Sequence, residues 1–146
     1  MKRALALCSL LIMAACAPVP APSPPPPPPP APGPMAAARV FTVYFAWNRS
    51  WVGPQGIAIL RQAAAVYKSG GVVTVQVTGY TDTSGSARYN QRLSVRRARH
   101  VAHILARMGV PWRAMTVAGR GENDLAVPTP NGVREPRNRR VTVVEG

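Results

Sequence analysis

Short stretches of the chain alternate between hydrophobic and polar residues, and such alternation is typical of strands that bury one face. The clearest stretch is 72–80, VVTVQVTGY, which predicts a strand. Residues 39–45, RVFTVYF, are β-branched and aromatic with a rougher alternation and predict another. Residues 114–118 and 139–144 are predicted as two further short strands.

In two longer stretches the apolar residues recur with the period of a helix. The first, residues 54–67, begins at a proline and is followed by two glycines. The second, residues 87–108, is stopped by Gly109 and Pro111. With a glycine- and proline-rich loop over 120–137, the order is β-α-β-α-β-loop-β. This order predicts an α+β or α/β fold in which the helices pack on one mixed sheet.

One basic residue lies on the apolar stripe of the second helix. Arg97 is four residues after Leu93 and four before Val101, so it points along the stripe. A guanidinium at the edge of a core requires an anionic partner, because its uncompensated burial is costly. Of the five acidic residues, Asp82 is the most attractive partner, since it ends the strand that leads into this helix.

The N-terminal residues have the features of a targeting segment. Lys2 and Arg3 precede an apolar run over 4–14, which is shorter than the roughly 20 residues of a transmembrane helix. Small residues lead into Cys16, and this junction resembles a lipobox, the processing site of bacterial lipoproteins. Residues 1–15 are therefore predicted to be a lipoprotein signal peptide, with Cys16 as the lipidated residue. The alternative is an ordinary signal peptide with an incidental cysteine.

Residues 16–38 contain 12 of the 17 prolines of the chain. Proline excludes both helix and sheet, and a polyproline II rod extends by about 3.1 Å per residue, on the order of 50 Å over the proline-rich residues 17–34. We therefore expect a stiff spacer between the lipidated cysteine and a folded domain over 39–146. A spacer of this kind indicates that the domain works at a distance from its membrane.

The net charge is +13, from 18 basic residues, 16 of them arginine, against 5 acidic ones. This excess favours a nucleic acid, an anionic membrane surface or a wall polymer with carboxylates as partner. Nucleic acid is not expected, because the basic residues have no aromatic platform and the chain carries a secretion signal.

The motifs of an enzyme or metal site are missing from the sequence. It contains no Gly-x-Ser-x-Gly elbow and no glycine-rich phosphate loop. His100 and His103 lie three residues apart on the second helix, but the domain offers few acids and no cysteine to complete a metal site. We therefore expect surface histidines, no catalysis, no metal and no cofactor.

Residues 40–145 resemble the OmpA-like family, which includes the peptidoglycan-associated lipoproteins and the wall-binding domains of flagellar stator proteins. The family signature is Thr-Asp, ten residues, Leu-Ser, two, Arg-Ala, two, Val, three, Leu. The matching residues are Thr81-Asp82, Leu93-Ser94, Arg97-Ala98, Val101 and Leu105. The resemblance implies an α+β fold, β-α-β-α-β-β, with two main helices on one face of a mixed four-stranded sheet.

The resemblance also implies a ligand, the diaminopimelate of peptidoglycan stem peptides. In this interpretation Asp82 binds the ammonium of that side chain and Arg97 binds its carboxylate. Asn90 matches a frequent asparagine of the family, and Arg139 and Arg140 lie in its last strand. Alternation places one of these two arginines on each face, and the sequence leaves open which one faces the ligand.

The family usually has an acidic residue after the phenylalanine of its first strand, and Ala46 stands there in this chain. The strength and detail of ligand binding are expected to differ for this reason. An alternative for Asp82 and Arg97 is an internal salt bridge that holds the loop to the helix.

Together these features predict a lipid-anchored outer-membrane protein whose periplasmic domain binds peptidoglycan non-covalently and tethers the membrane to the wall. Other envelope proteins are further candidate partners. The alternative function is an envelope assembly scaffold that keeps the fold and binds only protein partners, and the replacement at Ala46 leaves it open.

Overall fold

The computed structural model describes residues 38–72 and 74–146. The predicted signal peptide over 1–15, the predicted lipidation site Cys16 and the predicted spacer up to residue 37 lie outside the described residues. The described part contains four strands and two long helices in the predicted order. They are β1 (Arg39–Tyr44), α1 (Pro54–Lys68), β2 (Val75–Gly79), α2 (Ala87–Arg107), β3 (Met115–Gly119) and β4 (Arg140–Glu145). Short 3₁₀ turns span Trp112–Ala114 and Pro136–Asn138.

The four strands form one mixed sheet in the order β1-β4-β2-β3. β4 is antiparallel to both of its neighbours, whereas β2 and β3 are parallel to each other. Both helices pack on the same face of this sheet, over the alternate strand residues that point inward. The predicted α+β fold, with two main helices on one face of a mixed four-stranded sheet, is confirmed.

The core consists mainly of small and medium-sized aliphatic side chains, together with Phe45, between the sheet and the two helices. Its fully buried members include Val43, Leu60, Val75, Val77, Val101, Leu105, Val141 and Val143. Each contributes roughly 1.5–3 kcal/mol by leaving water. The strand members recur at every second position and the helix members at every third or fourth, which is why the sequence pattern predicted these elements.

Two glycines allow α2 to approach the sheet closely. A Cβ added at Gly79 would lie 2.1 Å from the carbonyl oxygen of Ser94, and one added at Gly119 would lie 2.5 Å from its Oγ. Ser94 Oγ in turn accepts a hydrogen bond from the backbone of Gly121 at 2.9 Å. This close packing fixes the first half of α2 over the ends of β2 and β3, next to the loop that contains Asp82.

The strand bounds differ from the predicted ones by up to three residues. β2 is confined to Val75–Gly79, because it pairs with β4 only from Glu145 back to Val141. In the described part of the chain, no helix is both long enough and apolar enough to cross a bilayer.

Candidate functional site

A cleft of about 500 Å³ lies where the chain leaves the carboxyl end of β2 and enters α2. Its walls come from three segments that are far apart in sequence, 47–48, 82–97 and 132–139. The lining residues are Trp47, Asn48, Asp82, Ser84, Gly85, Tyr89, Asn90, Leu93, Arg97, Gly132, Arg134 and Arg139. The volume is that of a site for a small molecule or a single side chain.

Asp82 lies in the wall of the cleft and is only 3% exposed. Its Oδ1 accepts hydrogen bonds from Ser84 Oγ at 2.6 Å and from Ser84 N at 3.3 Å. Its Oδ2 accepts one from Arg139 Nη1 at 3.2 Å, which is also an ion pair. Three donors therefore hold the carboxylate in one orientation.

Arg97 is fully buried at the deep end of the same cleft, as its position on the apolar stripe predicted. Its guanidinium donates to three backbone carbonyls, those of Arg49 and Tyr80 at 2.8 Å and that of Ala46 at 3.3 Å. Burial lowers the pKa of Arg97 to about 10, well below the usual range of a guanidinium, although the attraction of Asp82 opposes this shift. The group remains a cation at neutral pH.

The expected direct pairing of Arg97 with Asp82 is wrong. The ion pairs among the described residues do not include Arg97, and the carboxylate of Asp82 pairs with Arg139 instead. The reason is that backbone carbonyls before α1 and after β2 already surround the Arg97 guanidinium. The internal salt bridge considered as an alternative is therefore not formed between these two residues.

Arg139 and Arg140 point to opposite faces of the sheet, as alternation requires. Arg139 lines the cleft, where its Nε donates to the carbonyl of Phe45 at 3.0 Å. Arg140 donates to the carbonyl of Asp124 at 2.9 Å and lies over the Tyr80 ring at 3.9 Å. The structure thus brings Arg139 to the other predicted site residues and leaves Arg140 outside the cleft.

Asn90 is buried in the first turn of α2 and lines the cleft. Its Nδ2 donates to the carbonyl of Asp82 at 3.2 Å and to Glu122 Oε2 at 2.6 Å. Asn90 thereby connects the loop of Asp82 with the segment that follows β3.

The charges in the cleft are unequal. Among the described lining residues, Asp82 is the acid, and Arg97, Arg134 and Arg139 are the bases. Ala46 contributes only its backbone carbonyl, to Arg97. With three positive charges against one negative charge, the cleft favours an anionic ligand.

The sequence did not indicate the aromatic rim of the cleft. The guanidinium of Arg134 lies 3.8 Å from the centre of the Trp47 ring, and Trp47 Nε1 donates to Ser84 Oγ at 3.2 Å. Arg134 belongs to the loop over 120–137, which has no periodic pattern that would predict its position. Thr83 ties this loop to the cleft, because its Oγ1 donates to the carbonyl of Pro130 at 2.6 Å.

The two histidines lie on the exposed side of α2, as predicted. His103 contacts the Trp112 ring edge-on, with the ring centres 5.0 Å apart. Within 38–72 and 74–146, no group of three or more His, Cys, Asp or Glu side chains is positioned to bind a metal ion.

Comparison with known proteins finds relatives that are named as outer membrane proteins. The outer membrane protein of Gluconacetobacter diazotrophicus is 40% identical over 113 residues, which cover 73% of this chain and 30% of that protein. Outer membrane protein A of Shimwellia blattae is 40% identical over 87 residues, which cover 56% of this chain and 35% of that protein. The chain thus spans about a third of the length of these relatives.

Solved structures agree with the sequence comparison. The crystal structure of the peptidoglycan-associated lipoprotein from Burkholderia pseudomallei aligns with a TM-score of 0.67 at 28% identity, covering 73% of this chain and 90% of that one. The OmpA family model matches residues 44–139, which include β2, β3, both helices and every residue of the Thr-Asp to Leu signature. The resemblance inferred from that signature is confirmed, and the chain belongs to the OmpA family.

Proposed function

We propose that the domain over residues 39–146 binds peptidoglycan non-covalently and performs no catalysis. The ligand in this proposal is the diaminopimelate side chain of a stem peptide. The observation that carries it is that Asp82 and Arg97 line one cleft, while the buried cation of Arg97 has no carboxylate within 4.0 Å among the described residues. A buried, unneutralised guanidinium favours the entry of an anion.

The chemistry of diaminopimelate suits these two side chains. Its free end carries an ammonium and a carboxylate on the same carbon, so it requires an acid and a guanidinium close together. A carboxylate has about four acceptor sites, and Ser84 and Arg139 occupy three on Asp82, which leaves one for the ammonium. Arg97 has five N–H donors, of which three are engaged, and the other two are assigned to the carboxylate.

Arg139 has a further part in this proposal. Its side chain is 12% exposed, so an incoming ligand meets it before the fully buried Arg97. We assign Arg139 to the carboxylate of the ligand, Asn90 to orienting the Asp82 loop, and no contact with the ligand to Arg140. Because Ala46 provides no second acid, Asp82 alone is assigned to the ammonium.

The location in this proposal is the outer membrane, with the domain in the periplasm and a lipid anchor at Cys16. Residues 1–15 are removed as a signal peptide, and residues 16–38 act as the spacer. Relatives named outer membrane protein and peptidoglycan-associated lipoprotein support this location. Such a chain tethers the outer membrane to the wall.

The anchor is tested by labelling cells with radioactive palmitate. We expect label in the wild type and in a Cys8→Ser control, and none in Cys16→Ser, because Cys16 is the proposed acceptor. Label that persists in Cys16→Ser contradicts the anchor.

The cleft is tested by sedimenting residues 36–146 with purified sacculi at moderate salt. Asp82→Asn keeps the shape of the side chain but removes its charge, and we expect it to abolish binding. Asp124→Asn is the matched control, because it removes an exposed acid outside the cleft. Thermal unfolding followed by circular dichroism shows whether each variant is folded, and equal binding by folded Asp82→Asn overturns the assigned cleft.

A second candidate function is an envelope scaffold that binds protein partners only. Ala46 in place of the usual acid favours it, as do the exposed rings of Trp47 and Trp51, 48% and 57% accessible. A wild-type domain that fails to sediment with sacculi but crosslinks to envelope proteins through Trp51→Cys supports this second function.

A further inference from the structure

The outer face of α2 carries positive charge only. The helix contains no acidic residue, and its exposed side has five arginines. These five, Arg88, Arg92, Arg96, Arg99 and Arg107, are called the outer arginine row. At about 100° per residue they all fall within about 100° of the helix circumference.

No acid within the described residues neutralises this row. The three ion pairs of the described part join other residues, namely Arg120 to Asp124, Arg137 to Glu135 and Arg139 to Asp82. Of the remaining acids, Glu122 accepts a hydrogen bond from Asn90, and Glu145 is buried at the end of β4. The row is therefore free to contact an external anion.

The row is unfavourable for the isolated helix. Arg88, Arg92 and Arg96 are spaced four residues apart, and like charges at this spacing repel each other across one helical turn. Arg88 also lies in the first turn, where the helix dipole disfavours a positive charge. Bound anions relieve both effects, so this helix is more stable with an anionic partner than without one.

The row begins beside the cleft. Tyr89 lines the cleft, and the guanidinium of Arg96 lies 5.8 Å from the centre of its ring. From Arg88 to Arg107 the row extends for about 28 Å along α2. The neighbouring helix α1 has only Arg61 and Lys68 as basic residues. A narrow row of this length matches a linear polyanion better than the plane of a membrane.

We infer that the outer arginine row is a second binding surface, which contacts free carboxylates of stem peptides adjacent to the one held in the cleft. The inference rests on the proposed function, because it assigns the same polymer to both surfaces. The arginines of the row are exposed, so each contact is weak and is screened by salt.

The test uses the full-length chain purified in detergent, with sacculi and a soluble diaminopimelate-containing tripeptide as two separate probes. Arg92→Gln/Arg99→Gln/Arg107→Gln removes three charges from the row and leaves Arg96 beside Tyr89. The matched control, Arg61→Gln/Lys68→Gln/Arg137→Gln, removes three positive charges elsewhere. We expect the row variant to bind sacculi about eightfold more weakly at low salt, a factor of about two for each exposed ion pair.

The other expected results separate the row from the cleft. The deficit of the row variant disappears at about 0.5 M salt, where charges are screened within a few ångströms. Its affinity for the soluble tripeptide stays that of the wild type, whereas Asp82→Asn loses affinity for both probes. The control variant binds sacculi within about twofold of the wild type.

Three results overturn the inference. One is an equal loss in the row variant and the control, because net charge alone then explains binding. Another is a row variant that binds sacculi as tightly as the wild type but no longer binds phosphatidylglycerol vesicles, because this result assigns the row to a membrane. The third is a wild type that binds neither sacculi nor tripeptide, in which case Asp82→Asn has no effect and the proposed function itself fails.

Discussion

The two ends of the sheet each bury one carboxyl group, but in different surroundings. At the cleft end, Asp82 accepts hydrogen bonds from Ser84 and Arg139. At the opposite end, Glu145 is 2% exposed, and neither of its oxygens accepts a hydrogen bond from a described residue. Burial raises the pKa of Glu145, although Arg39 opposes this shift. The charged form of Glu145 is thus disfavoured, whereas the Asp82 carboxylate has hydrogen-bond donors on both of its oxygens.

The two ends of the sheet also differ in the balance of positive and negative charges. The cleft end collects three arginines around one acid, and Arg97 remains without a carboxylate there. The smaller cavity at the opposite end is lined by Arg39 and Glu145, one charge of each sign. The comparison teaches that burial of a charge alone does not identify the site. The excess of ordered cations over anions distinguishes the cleft, and substitutions at both ends test this view.

The largest effect is expected for the stability of the fold when Arg97 is replaced. Arg97→Ala leaves the carbonyls of Ala46, Arg49 and Tyr80 without their donor and opens a cavity, so the free energy of unfolding should fall by about 3 kcal/mol. Urea denaturation measures this loss. Arg92→Ala on the exposed side of α2 is the control, with a change within about 0.5 kcal/mol. If Arg97→Ala is as stable as the wild type, the three hydrogen bonds do not stabilise the fold.

An intermediate effect is expected at Arg139. Arg139→Gln removes the cation that pairs with Asp82, and we expect about tenfold weaker binding of the soluble tripeptide, equivalent to about 1.4 kcal/mol. Calorimetric titration measures the affinity. Arg140→Gln changes the neighbouring residue on the opposite face and should leave the affinity unchanged. The reverse ranking of these two variants would place the ligand on the open face of the sheet.

The smallest effect is expected at Glu145, and its sign depends on pH. Because folding raises the pKa of this carboxyl, the folded state binds its proton more tightly than the unfolded state. Stability therefore falls as the pH rises from the unfolded pKa through the folded one, and the cost persists above it. Glu145→Gln mimics the protonated group, so it should raise the Tm by about 3 °C at neutral pH and leave it unchanged at about pH 3.

Glu135→Gln is the counterpart in this experiment. Arg137 lowers the pKa of Glu135 by hydrogen bonding to it, so the ionised form of this carboxyl is favoured in the folded state. Its replacement should give no gain in Tm at neutral pH. A gain at both positions would point to the net charge of the domain, and not to the burial of Glu145, as the cause.

Much of the fold followed from periodicity. The alternation in β2 and the 3.6-residue spacing in α2 predicted these elements, because a strand or helix that buries one face must repeat its apolar residues with its own geometry. The predicted ends of the strands were less accurate, since a strand ends where its pairing with a partner strand ends.

Part of the site followed from the same reasoning. The sequence predicted that Arg97 points into the core and that Arg139 and Arg140 point to opposite faces. It did not predict the partners of Arg97, because a backbone carbonyl has no residue-specific signal. Those partners lie 17 to 51 positions away along the chain.

The sequence by itself determined the helices and strands, the family signature and the excess of arginine. It also determined the apolar stripe of α2, on which Arg97 is the one charged residue. These are properties of local order and composition. Only the tertiary structure decided that Arg139 and not Arg140 enters the cleft, that Arg134 reaches Trp47, and that Asp82 pairs with Arg139. Each of these depends on the register of β4 and the path of the loop over 120–137. Both are set by contacts between residues distant in the chain, which no local pattern encodes.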